Sequence, residues 1–431
     1  MKLRWLILPL ALLAAAYAFA GHTALAQDPS AGPTQVVGGL LSPRGLKFGP
    51  DGMLYVAEAG TGGETKITVD GAEYFNGFTG RISKVDPATG TRTTVVDGLP
   101  SQAGPEGDSV GPADVAFLGG KLYYVQTHGG EGYGFPDNPT GIYRVDADGS
   151  IHLIADIGEF NLENPIADVT NGTQLDIEIG GNPYAMIVRD GAFLVVDGNQ
   201  NQVIKVTAEG DISRLAEFSG HPVTTGIASQ ASGPLYVGAL GQFPFTAEDG
   251  NVYSVGFPTG NITEIADGFS SVTDVEFGPG GQLYAVTFGD QAADPSMIPW
   301  DVFTGKILKV NGDGTMSPVV DGLNLSTFLI FDGDTAYVSN NGVSIPGVFD
   351  GEILKIENFS SLEPESPPAP APTTGPPAPV PPRSSGVITA PDTGSGTGTA
   401  GDGSSPLIWL VLLAGVAGVA CTGAAVAVAR R

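Results

Sequence analysis

The sequence predicts an all-β protein: a six-bladed β-propeller of four-stranded blades, closed by its N-terminal strand and followed by one C-terminal transmembrane helix. Three observations carry this reading. A four-strand unit recurs six times along the chain. The last copy lacks its fourth strand, while a lone strand, "TQVVGGL" (34–40), stands at the start. An uncharged apolar run fills residues 407–429.

The N-terminus reads as a Sec-type signal over 1–26: Lys2 and Arg4, then an apolar stretch, then the A-x-A site Ala24-Leu25-Ala26. The repeats occupy 34–358. Each opens with a hairpin such as "LKFGPDGMLYVAE" (46–58), "VAFLGGKLYYVQT" (115–127) or "VEFGPGGQLYAVT" (275–287). Apolar alternation on either side of a Gly- or Asp-rich turn is a β-hairpin signature. A third strand follows, as in "GIYRVDADG" (141–149) and "KILKVNGDG" (306–314), then a short fourth, as in "TTVVDGL" (93–99) and "SPVVDGL" (317–323). "TQVVGGL" matches that fourth strand and is expected to complete the sixth blade. A ring of repeats closed this way leaves only short, protected edges.

Residues 361–406 are Pro-rich and then Gly/Ser-rich, which fits a stalk without a core. Residues 407–429 suffice to span a hydrocarbon layer roughly 30 Å thick. Arg430 and Arg431 follow them, which places the propeller outside the cytoplasm by the positive-inside rule. "APDTGSG" (390–396) resembles a sortase sorting signal with Ala390 in place of the leading Leu. Single-pass anchoring in the cell membrane and sortase attachment to a bacterial wall are therefore the competing expectations for this end. Cys421, the one cysteine, lies in the apolar run, so the exported domain has no disulfide. The net charge of −27 excludes a nucleic-acid partner and an anionic lipid surface for the propeller face.

The units resemble NHL-type repeats, and the series resembles the ScyD/ScyE family of exported propellers. The carrying stretches are "GLPSQAGPEGDSVGPADVAF" (98–117), "GNPYAMIV" (181–188), "LYVGALGQFPF" (235–245) and "VSNNGV" (338–343). The resemblance covers nearly all of 36–358. It implies the fold and leaves the activity open.

Chemistry is expected at the channel mouth, where the innermost strands start. Asp114 and Asp274 share a register in blades two and five, which face each other across a six-bladed ring; Arg44 and Tyr184 lie near the same level. Two converging carboxylates suit a hard cation such as Ca²⁺, and they equally suit pairing with Arg44 or the capping of turns. On the outer loops, His128 with Tyr133 and Phe135 forms the candidate rim, since binding residues gather on loops held by a rigid scaffold; packing of the loop on itself is the competing reading and the favoured one. "DADG" (146–149) and "NGDG" (311–314) lack the glutamate of a calcium loop and read as hairpin turns.

Two function classes remain. One is an extracellular binding module for a protein or glycan, anchored to the membrane through its C-terminal helix, which needs no catalytic group. The other is a metal-dependent, lactonase-like hydrolase with its site in the channel. The sequence favours the first, because no Glu joins the two aspartates at the strand starts and no Ser-His-Asp or Cys-His set can be assembled.

Overall fold

The computed structural model describes residues 32–69, 72–104, 108–167, 180–241, 247–292, 300–343 and 350–362. The signal, the stalk beyond Leu362 and the apolar run lie outside these residues. Among the described residues, no helix is long and apolar enough to cross a membrane.

Six antiparallel sheets follow one another along the chain. The innermost strands are Pro43–Phe48, Pro112–Leu118, Pro183–Arg189, Thr224–Ser229, Val272–Phe277 and Phe328–Asp332. Each packs against the innermost strand of the next sheet, and the sixth packs against the first, so the ring is closed. The sixth sheet runs in the order Thr34–Leu40, Gly351–Ile356, Thr335–Asn340, Phe328–Asp332. The N-terminal strand thus supplies the missing outer strand as its sequence predicts, with Thr34 opposite Lys355 and Leu40 opposite Gly351.

The core lies between blades. One cluster joins Ala113, Tyr123 and Val125 of blade two to Met186, Phe193 and Val195 of blade three. The recurring tyrosine of the second strand has a specific partner. Tyr55, Tyr236, Tyr284 and Tyr337 pack on Phe117, Phe277, Phe331 and Phe48, each at the end of the next blade's innermost strand, with centroids 4.9–5.4 Å apart. Edge-on and tilted contacts of this kind suit the ring quadrupoles and bury large apolar areas. The Tyr337–Phe48 pair carries the motif across the closure.

Blade one departs from four strands. Within 61–78 the chain adds a strand: Thr65–Val69 pairs with a third strand prolonged to Ala72–Val85. The fourth strand, Arg92–Ala103, is prolonged with it and pairs with Ser109–Val110. "DADG" and "NGDG" are turns as expected, closed by Gly149 N–H to Asp146 O and Gly314 N–H to Asn311 O.

Antiparallel order fixes where the connections emerge. The links from second to third strand, and from one blade to the next, open at the end where the innermost strands start. The opposite end carries short turns such as 119–120, 190–191 and 333–334. Among the described residues, the long connections therefore share one face.

Candidate functional site

The channel is filled by side chains from facing blades. Tyr184 of blade three stacks on Phe328 of blade six, with centroids 5.1 Å apart at 15°. Phe328 holds the ladder position in blade six that Asp114 and Asp274 hold in blades two and five: it pairs with Ser339 as they pair with Val125 and Val286. Arg44 of blade one hydrogen-bonds to Tyr184 and donates to Ser109 O at 2.8 Å. Burial pushes the Tyr184 hydroxyl up to about 12, against the opposing effect of Arg44. The gap left beside Arg44, Ala59, Thr127, Asn182 and Tyr184 is ≈ 10 Å³, room for about one water.

The two aspartates do the same work a half-turn apart. The Asp114 carboxylate accepts from Val115 N at 2.7 Å and, across the blade boundary, from Met186 N at 2.8 Å. Asp274 accepts from Leu329 N of blade six at 2.9 Å. On the other side each meets a glycine of the preceding blade. A Cβ on Gly45 would sit 1.9 Å from Asp114 Oδ1, and one on Gly226 would sit 2.4 Å from Asp274 Cα. Each Asp therefore ties three consecutive blades together.

Two further charges complete the cluster. Lys47 of blade one and Glu276 of blade five approach to 3.6 Å across the channel. Burial alone would depress the Lys47 pKa, but Glu276, Asp114 and Asp274 outweigh it and hold it above its usual value. Burial pushes Asp114 up to about 7, against the opposing effects of Lys47 and the two backbone N–H groups. Asp274 is raised well above the carboxylate range, again chiefly by burial. Both aspartates are fully buried, and the partly exposed Lys47 does not cancel the cost of ionising them there. Among the described residues, no three His, Cys, Asp or Glu side chains are placed to hold a metal ion.

Sequence reasoning placed Arg44, Asp114, Tyr184 and Asp274 together, and the structure brings them together. It missed Lys47 and Glu276, which lie on the same strands two residues beyond Gly45 and Asp274; reading only the strand starts passed over them. It also missed Glu58. That buried side chain pairs with Arg81 at 2.6 Å, bonds to Ser83 and accepts from Leu41 N, fixing the chain where it enters blade one.

In the blade-two loop the structure shows the packing reading and not the rim. His128, Tyr133 and Phe135 are all buried, His128 stacked on Tyr133 at 4.4 Å and bonded to Gln102 at 2.9 Å. They are the loop's own core and support a pocket outside it. That pocket, ≈ 600 Å³, lies between the 129–140 loop and the short helix Ile157–Glu163, with Thr68 of the blade-one hairpin and Gly180 at its margin. Its size falls in the range of small-molecule sites.

No family model and no curated protein matches the chain. Solved structures do. A gluconolactonase of Xanthomonas campestris aligns at 14% identity over 78% of this chain and 93% of its own, with a TM-score of 0.47. The PQQ-bound aldose sugar dehydrogenase of Streptomyces coelicolor aligns at 14% over 75% and 96%, with 0.49. A streptogramin B lyase aligns at 13% over 75% and 97%, with 0.43. All three names are those of enzymes, and at these identities and scores they assign no activity to this chain.

Proposed function

We propose that the chain is an exported, membrane-anchored propeller of the ScyD/ScyE type, acting as an extracellular binding module through the face that carries its long loops. One observation supports this above the rest: the ≈ 600 Å³ pocket is built by loops of that face, while the channel is packed with side chains. Export, the stalk and the C-terminal helix would hold this face away from the membrane, toward a protein or glycan. The test is an array of glycans and peptides probed with the propeller, residues 32–362. Signal that falls when the 129–139 loop is replaced by an Asn-Gly turn, without loss of fold, supports the reading. Absence of signal, or signal indifferent to that loop, overturns it.

The second reading is a metal-dependent, lactonase-like hydrolase that uses Asp114 and Asp274. The observation in its favour is that Asp114, Asp274 and Glu276 lie within electrostatic reach of one another. Lys47 already supplies a positive charge there, and both aspartates accept backbone N–H groups. The hydrolase shares its chemical class with the gluconolactonase named above, a likeness that adds no weight at that TM-score.

A further inference from the structure

We infer that the pocket between the blade-two loop and the Ile157–Glu163 helix takes an organic cation: an ammonium or guanidinium carried on an apolar stem. This rests on the binding role proposed for that face and names the ligand class.

The charge of the lining is one-sided. Glu131, Asp156 and Glu159 contribute carboxylates, and no Lys, Arg or His joins them among the lining residues. The remaining side-chain surface is mainly apolar, from Tyr133, Pro136, Pro139 and Leu162. Leu162 is 61% exposed, a large apolar side chain left uncovered at the edge of a concavity. An anion is disfavoured twice. The carboxylates repel it, and three of the lining glycine N–H groups that could cradle it are already engaged within the protein. Gly129 N donates to Thr140 Oγ1 at 2.8 Å, Gly130 N to Asn138 O at 2.9 Å and Gly158 N to Thr140 O at 3.0 Å. Asp156 keeps an oxygen available, since only its Oδ1 is engaged, by Glu159 N at 2.8 Å. A wholly neutral ligand would gain nothing from the negative field of these three carboxylates. An ammonium on a hydrocarbon or aromatic stem matches both parts of the lining.

The chemistry has two sources, a free amine or a lysine side chain of a peptide. Calorimetric titration of the propeller with phenethylammonium and with Ac-Gly-Lys-Gly-NH₂ separates them. 2-Phenylethanol and the norleucine peptide serve as neutral counterparts. Each cation that binds is expected to exceed its neutral counterpart by about tenfold at low salt, a gap that shrinks near 1 M salt, where screening acts within about 3 Å. The E131Q/E159Q variant, altered only at exposed side chains, is expected to lose that preference and keep its melting temperature. The peptide binding alone would identify a protein ligand, and the amine alone a small molecule. Neutral probes binding as well as cations, with E131Q/E159Q indifferent, would overturn the cation and leave the binding role standing. If no probe of either kind binds, the pocket's role falls with the inference.

Discussion

Asp114 hangs between two backbones, accepting N–H groups from its own strand and from blade three, while burial holds its pKa near 7. The linkage has a definite sign. A folded-state pKa above the ordinary carboxylate value means that the native protein keeps a proton the unfolded chain releases. Stability from this group is full below about pH 4 and is lost as pH rises toward 7, and Asp274 shifts in the same direction. We expect the unfolding free energy to fall across that interval, by up to ~1.4 kcal/mol per pH unit per group. Urea titrations at several pH values should show a flatter profile for D114N/D274N; equal slopes would contradict the assignment. Gly45 offers a second check at this scale. A methyl group there would collide with the Asp114 carboxylate, so Gly45→Ala should cost ~1–3 kcal/mol through forced displacement. An unmoved urea midpoint would count against the packing.

At the scale of the element, the N-terminal strand is held by more than its ladder. Gln35 Nε2 donates to Glu352 at 2.8 Å, and Arg92 Nη1 of blade one reaches Gly39 O at 2.8 Å. Deleting residues 34–40 should open the edge of Gly351–Ile356 and lower the melting temperature by about 10 °C or more, given ~2–4 °C per kcal/mol for a domain of this size. Adding the 34–40 peptide in trans should recover part of the loss; an unchanged melt would refute the closure. This element was fully legible in the sequence, because "TQVVGGL" repeats the fourth-strand pattern and the sixth unit lacks one. The recurring Tyr was legible as part of a strand but not as a contact with the Phe of the next blade, because a repeat pattern reports periodicity and not which faces meet. The added strand Thr65–Val69 stands outside the repeat, so matching the six units to one another does not reveal it. Asp114 and Asp274 could be matched by register, whereas Lys47 and Glu276 gain their role only from the closed ring, which brings blades one and five, with blade six between them, to line the same channel.

For the whole molecule, the two ends of the ring are unequal. One carries tight turns; the other carries the long loops and the pocket, with Phe78 exposed where it packs edge-on against Phe135 of the blade-two loop. The channel between them acts as a charged, packed axle. Tyr184 and Phe328 fill its width from facing blades, and Lys47 with three carboxylates from blades two and five lines it beside them. A propeller scaffold is compatible with either binding or catalysis, so the location of the site decides between them. The most direct test is the melting temperature of the propeller in excess EDTA and then with excess Ca²⁺. A metal bound only by the native state at a hundredfold excess over its Kd would add about 2.7 kcal/mol. With the axle already filled, the account predicts no shift. A rise of several degrees that disappears in D114A/D274A would contradict it and make the channel a metal centre.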